Sequence, residues 1–154
     1  MLEIHSREAA KVLAGKKMRN DEALGRQHVI SISSPATAAW SQDDTIASPV
    51  RLPVGTRILG AVIYHSAMGS GVKMNIGLRQ TDANQSVISS DGIAKAINVA
   101  SAGQTAARNG ELVTVGTHTL YRTPVESEIY AQLTSANPTD NAQFRIDITV
   151  VLPG

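Results

Sequence analysis

From Phe144 to Leu152 apolar and polar residues alternate: Phe144, Ile146, Ile148 and Val150 against Arg145, Asp147, Thr149 and Val151. A helix would scatter these two sets around its axis, whereas a strand puts each on one face. The C-terminus is therefore a strand with one face on a core. Runs of similar texture recur upstream, each closed by a turn signal. Val29–Ile32 stops at Ser33-Ser34-Pro35, and Ala36–Trp40 is a weak strand ending before Gln42-Asp43-Asp44. Thr45–Leu52 contains Pro49, which marks an edge or bend, and closes at Pro53-Val54-Gly55. Further strands are expected at Leu112–Val115, Thr119–Val125 and Glu128–Leu133, with the Asn137-Pro138-Thr139-Asp140 cluster before the last one. About eight or nine short strands at this spacing, with no βαβ alternation, read as an all-β antiparallel sandwich or barrel.

Thr56–Ser66 is the strongest run. Ile58, Gly60, Val62 and Tyr64 lie on one side, and Leu59, Ala61, Ile63 and His65 on the other. Both sides are largely apolar, so this strand belongs deep in the domain or at a subunit contact. The small residues of Ala67–Gly71 then reverse the chain into Val72–Leu78, and the pair reads as a hairpin. Gln80–Gln85 is a polar loop. Residues 91–101 read as a short helix capped by Ser90-Asp91-Gly92 and favoured by Ala94, Lys95 and Ala96. A strand around Ile97 and Val99 is the competing reading. Ser101–Gly110 is loop-like.

The start of the chain is different. Residues 1–28 form an N-terminal arm or short helix, and residues 29–154 form the sandwich domain. The arm has a thin apolar stripe (Ala9, Ala10, Val12, Leu13) that cannot sustain a helix alone. It carries Arg7, Lys11, Lys16, Lys17, Arg19 and Arg26 against Glu3, Glu8, Asp21 and Glu22. Such a segment orders by docking, and its mild positive bias suits an acidic protein surface as well as a solvated helix.

Composition narrows the chemistry. The 154 residues hold no cysteine, which excludes a disulfide scaffold, a thiolate metal site and a cysteine nucleophile. Aromatics are 3% and net charge is +1, too little for a base-stacking platform or an electrostatic trap for nucleic acid or acidic membranes. No apolar run approaches the ~20 residues of a membrane span, and the first residues lack a basic-then-apolar signal sequence. The histidines His5, His28, His65 and His118 show no metal-ligand spacing. His65 reads as a satisfied core or interface imidazole. Gly69-Ser70-Gly71 lacks the Gly-Lys-Ser/Thr of a phosphate loop and reads as a turn. The carboxylates at Asp43-Asp44 and at Glu126 with Glu128 read as solvated turns rather than as an acid–base pair. No catalytic residue, metal or cofactor is expected, and the protein is not an enzyme. Arg145 and Asp147 share one face of the last strand. With a cross-strand partner they would form an interface ion pair; alone they are an exposed polar face.

Residues 52–78, LPVGTRILGAVIYHSAMGSGVKMNIGL, together with SDGIAKAINVASAG at 90–103 and the late EIYAQLTSANP strand, carry a resemblance. In texture and order they resemble the small capsid decoration (cement) proteins of tailed bacteriophages, over roughly residues 45–152. That resemblance implies a jelly-roll-like sandwich with no catalytic residues, bound outside an assembled shell. It implies the major capsid protein as partner and a homotrimer, or a dimer, clamping neighbouring capsid subunits. The location implied is the virion surface, with the host cytoplasm during assembly. No small-molecule substrate, nucleic acid or membrane is implied. Residues 1–28 would then be an arm reaching across subunits, with Trp40 pinning the chain beneath it or serving as plain core. Two alternatives remain: a tail, neck or baseplate component, and a carbohydrate- or receptor-binding sandwich.

Overall fold

The computed structural model describes residues 26–48, 50–114 and 121–153. Among these, eight strands follow one another: β1 (Arg26–Ser33), β2 (Thr45–Ala47), β3 (Arg57–His65), β4 (Lys73–Gln80), β5 (Val87–Asn98), β6 (Gly103–Ala107), β7 (Ser127–Thr134) and β8 (Phe144–Leu152). They form two four-stranded sheets, β1-β8-β3-β6 (sheet I) and β2-β7-β4-β5 (sheet II). Every pairing is antiparallel. The order has a simple origin. β4 pairs with β5, β3 with β6, β2 with β7 and β1 with β8, so the chain is one long hairpin rolled until its two arms face each other. This is a jelly roll, the architecture in which two Greek keys close over one core.

The alternation in β8 sets that core. Phe144, Ile146, Ile148 and Val150 are buried, and with Ile30, Ile32, Ile58 and Ile63 they line sheet I. Met74, Ile76, Leu78, Ile129 and Leu133 line sheet II. Val151, in the outward row, is buried as well.

Several expectations are corrected. Residues 91–101 are not helical: most of them lie in β5, where Ala94 faces Ile76 and Ile97 faces Met74. The helix propensity of Ala94-Lys95-Ala96 is worth only tenths of a kcal/mol per residue. Burying Ile93, Ala94 and Ile97 against sheet II outweighs it. The 56–66 and 72–78 strands do not form a hairpin. β3 lies in sheet I and β4 in sheet II, and the Gly69-Ser70-Gly71 reversal is a corner between sheets. Gly69 and Gly71 have φ of 115° and 78°, and the Met68 carbonyl accepts from the Thr139 amide at 2.8 Å. A reversal rich in glycine is compatible with either topology. Leu112–Val115 is a turn as far as it is described, its Leu112 amide bonded to the Gly92 carbonyl. Gly103–Ala107, read as loop, is strand β6 against β3. Ala36–Trp40 is irregular, as are residues 121–125.

β3 holds a subtler correction. Its register slips between Ile58 and Gly60. One extra residue reverses the parity, so Ile58 joins Ala61, Ile63 and His65 on the core side while Leu59 is 37% exposed. β1 opens at Arg26, inside the expected arm; residues 1–25 lie outside the described residues.

Candidate interaction surface

The outward face of sheet I is built by residues that alternate with the core. Cross-strand register gives it three rows: Ser33–Arg145–Tyr64–Gln104, Ser31–Asp147–Val62–Ala106 and Val29–Thr149–Gly60. The Arg145 guanidinium lies 4.4 Å from the Tyr64 ring centroid, and its Nε is 3.3 Å from Asp147 Oδ1. Ser31 Oγ donates to the same oxygen at 2.7 Å. Arg145 and Asp147 thus pair with each other along one strand, and their cross-strand contacts are Tyr64 and Ser31. The Arg145 side chain is 52% exposed. A pair this wet contributes about 0–1 kcal/mol, and its main effect is to orient the two side chains on the outer face.

Beside that row the β3 bulge opens a depression of about 250 Å³ between Leu59, Val62, Arg108 and Thr149. Gly60 forms its floor. With φ at 144°, a Cβ there would sit 2.9 Å from Arg108 Cβ. A second depression, about 330 Å³, follows β1 on the open side of the sandwich between Val29, Val50, Pro53 and Leu152. Val29 is 64%, Val50 46% and Val54 58% exposed.

The other expected site residues fall as follows. Arg7, Lys11, Lys16, Lys17 and Arg19 lie outside the described residues. Arg26 pairs through its backbone with Leu152. Trp40 packs on Phe144 with centroids 5.6 Å apart, and its Nε1 donates to the Ala142 carbonyl at 3.1 Å. It pins the β1–β2 connection to the start of β8. His65 is buried. Its Nδ1 faces the Ser66 carbonyl at 3.3 Å and its Nε2 faces Thr105 Oγ1 at 3.1 Å. A carbonyl only accepts, so in the neutral ring Nδ1 carries the proton and Nε2 accepts from the hydroxyl.

Several carboxylates are engaged by structural partners. Asp44 accepts from the Ser41 amide and Asp82 from the Ser86 amide, each organising a turn. Glu126 accepts from Thr81 Oγ1 at 2.7 Å and pairs with Arg51 at 3.3 Å. The Thr81 hydrogen bond, aided by Arg51, holds the Glu126 carboxyl below the ordinary glutamate range. Glu128 pairs with Arg79 at 2.7 Å, and both side chains are only 15–16% exposed. Among the described residues no three histidine, aspartate or glutamate side chains converge.

The fold is one that phage capsids contain. A chain in the capsid of Ralstonia phage GP4 superposes with a TM-score of 0.65 at 10% identity, covering 84% of this chain and 86% of that one. A chain of the cyanophage Pam1 capsid asymmetric unit gives 0.54 at 20% identity, over 85% and 89%. The acid-stable capsid of Helicobacter pylori bacteriophage KHP30 gives 0.51 at 12% identity, over 85% and 92%. At such identities the likeness is one of fold. No protein-family model and no curated protein matches the chain.

On the outer side of sheet II, sequence reasoning missed Arg79 and read Glu128 as part of a solvated turn, whereas Glu128 lies in β7 with its side chain mostly shielded from water. Arg79 and Glu128 are opposed in the β4–β7 register, and Arg79 also lies 5.1 Å from the Tyr130 ring centroid. Burial raises the Tyr130 hydroxyl above its ordinary range, and the Arg79 cation opposes that shift. The period-2 parity of the two strands was the available signal, but the register between them was not. Asn75 and Asn109 were missed as well. Asn109 accepts from the Lys95 amide at 2.8 Å and donates to its carbonyl at 2.9 Å. Asn75 accepts from the Ala96 amide at 2.7 Å. Both stand in for backbone partners where β5 leaves register.

Proposed function

We propose that this chain is a virion structural protein of a tailed bacteriophage, bound to the outer surface of the capsid. There it stabilises contacts between major capsid subunits as a decoration, or cement, protein. The observation that carries this reading is the match to capsid chains, which spans 84–85% of this chain and 86–92% of each of theirs. The matched chains are thus of similar extent to this one.

The geometry supports such a role. A sandwich with a buried, largely aliphatic core is stiff. Its outer face and loops can meet several neighbours at once, and modest contacts then add through effective concentration. The ionisable groups described above hold turns, rows and strand pairs together, which fits a protein that performs no reaction. Closed symmetry would repeat one interface around the particle, so the protein acts as a homo-oligomer.

The test is binding of the purified full-length protein to empty expanded capsids. Saturable co-sedimentation, with labelled protein spread over the whole shell in electron micrographs, is expected. Failure to bind at any salt concentration overturns the reading. Label confined to one vertex or to the tail replaces it with a neck, tail or baseplate role. Removing residues 1–25 should leave the circular dichroism of the sandwich intact and weaken capsid binding at least tenfold; loss of the fold would place that segment in the core.

A further inference from the structure

The outer rows of sheet I carry a side chain at every place but one. Gln27–Val151–Arg57 adds a row beside Val29–Thr149–Gly60, and Gly60 is the glycine among these outward residues. Beyond Gly60 strand β6 has ended, and Arg108 takes the next place across. A Cβ on Gly60 would sit 2.9 Å from Arg108 Cβ. The depression of about 250 Å³ is therefore the place of a missing side chain, with Thr149 on one side and Arg108 on the other. The backbone keeps it open. Gly60 sits at the β3 bulge with φ at 144°, a conformation that side chains rarely tolerate.

The lining is chemically divided. Leu59 and Val62 give an apolar wall, Gln27 and Thr149 give polar groups, and the exposed Arg108 stands at the rim. Arg57 is half-buried in the adjoining row. Among the described residues no carboxylate lies within ion-pairing distance of Arg57 or Arg108, whereas Arg51, Arg79 and Arg145 each have one. Asp147 is the carboxylate of these rows, and Arg145 and Ser31 already engage it. The face thus surrounds a hollow with positive charge that nothing described on it balances.

Size and charge select the occupant. Pockets for free drug-sized ligands hold about 300–1,000 Å³, so this one suits a single side chain. Arg57 and Arg108 fall short of the row of cations that a phosphate backbone needs. A guanidinium fork matches a carboxylate, and an apolar wall suits the methylene stem that carries it. We propose that the Gly60 depression receives an aspartate or glutamate side chain of a second protein, its carboxylate bonded by Arg108 and its stem against Leu59 and Val62. The inference rests on the capsid-binding reading and deepens it: the outer face of sheet I meets the shell, and the occupant projects from a capsid subunit.

The test compares full-length variants in co-sedimentation with empty expanded capsids. Arg108→Gln should weaken binding at least tenfold at an unchanged thermal midpoint. Thr149→Phe fills the depression without altering charge and should weaken it as much. Arg51→Gln removes the same charge elsewhere on the molecule and should bind as wild type does. With Arg108→Lys on the shell, a carbodiimide should couple the introduced amine to a capsid aspartate or glutamate, seen by peptide mapping. Wild type that binds while Arg108→Gln and Thr149→Phe bind equally well overturns this contact and leaves the capsid reading standing. Equal weakening by Arg51→Gln overturns it too, since net charge and not the site would then govern binding. So does a bound Arg108→Lys variant that gives no such cross-link. Wild type that binds no capsid removes the capsid reading itself, and this contact with it.

Discussion

Arg79 and Glu128 put two opposite charges 2.7 Å apart with little access to water. Each charge is acceptable there only because the other is present, so removing one leaves the other desolvated and unpaired. Arg79→Met or Glu128→Gln should lower stability by about 3 kcal/mol in urea unfolding. The double replacement Arg79→Met/Glu128→Leu should recover most of the loss. Equal losses in both single variants and the double variant would mean that packing, and not charge pairing, matters at this position. Glu126 differs because its side chain is about half exposed to water, at 51%. Its folded-state pKa is depressed, chiefly by Thr81 and then by Arg51. Its contribution is therefore present above the ordinary glutamate range and disappears as pH falls through the lowered folded value. The stability gap between wild type and Glu126→Gln should close on acidification across that window. A gap that widens on acidification would reverse the sign and exclude the Thr81 hydrogen bond as the cause.

β5 is the element whose irregularity matters most. The residues between Ser89 and Ala94 exceed what β4 can pair, and the surplus folds back over Gly77 and under the 110–112 turn. A Cβ on Gly77 would collide with the Ser89 carbonyl oxygen and lie 2.6 Å from the Ser90 carbonyl carbon. Both obstacles are backbone and cannot swing away. Gly77→Ala should therefore cost about 1–3 kcal/mol, the range for overpacking, seen as a lower urea midpoint at unchanged slope. Asn109→Ala removes both hydrogen bonds that its side chain makes to the Lys95 backbone, a loss of about 1–2 kcal/mol for two neutral bonds near solvent. Hydrogen exchange at the Lys95 amide is the direct readout, and unchanged protection there would rule out this bracing role. The mistaken helix over 91–101 has the same origin. Alanine and lysine express a weak local preference, and the deciding contacts come from β4, some twenty residues earlier in the chain.

For the molecule as a whole, the rolled hairpin makes most contacts distant in sequence. Only β4 and β5 are both consecutive and paired; β1 must wait for β8, the last strand made. Closing such loops before any reward arrives slows folding. Refolding should occur in milliseconds to seconds, read by Trp40 fluorescence, and a microsecond phase with full amplitude would contradict the topology. The Trp40–Phe144 contact should form in that same phase, because it joins the β1–β2 connection to β8. The alternation of β8, the turn clusters and the scarcity of aromatics were enough to establish an all-β antiparallel fold, sandwich or barrel, around an aliphatic core, because side-chain period and turn chemistry are local properties written residue by residue. The strand partners, the β3 bulge that turns Ile58 inward, the corner at Gly69–Gly71 and the Arg79–Glu128 pair were settled only in the folded chain. Each depends on which distant backbone lies alongside, and register between strands leaves no mark on either strand alone.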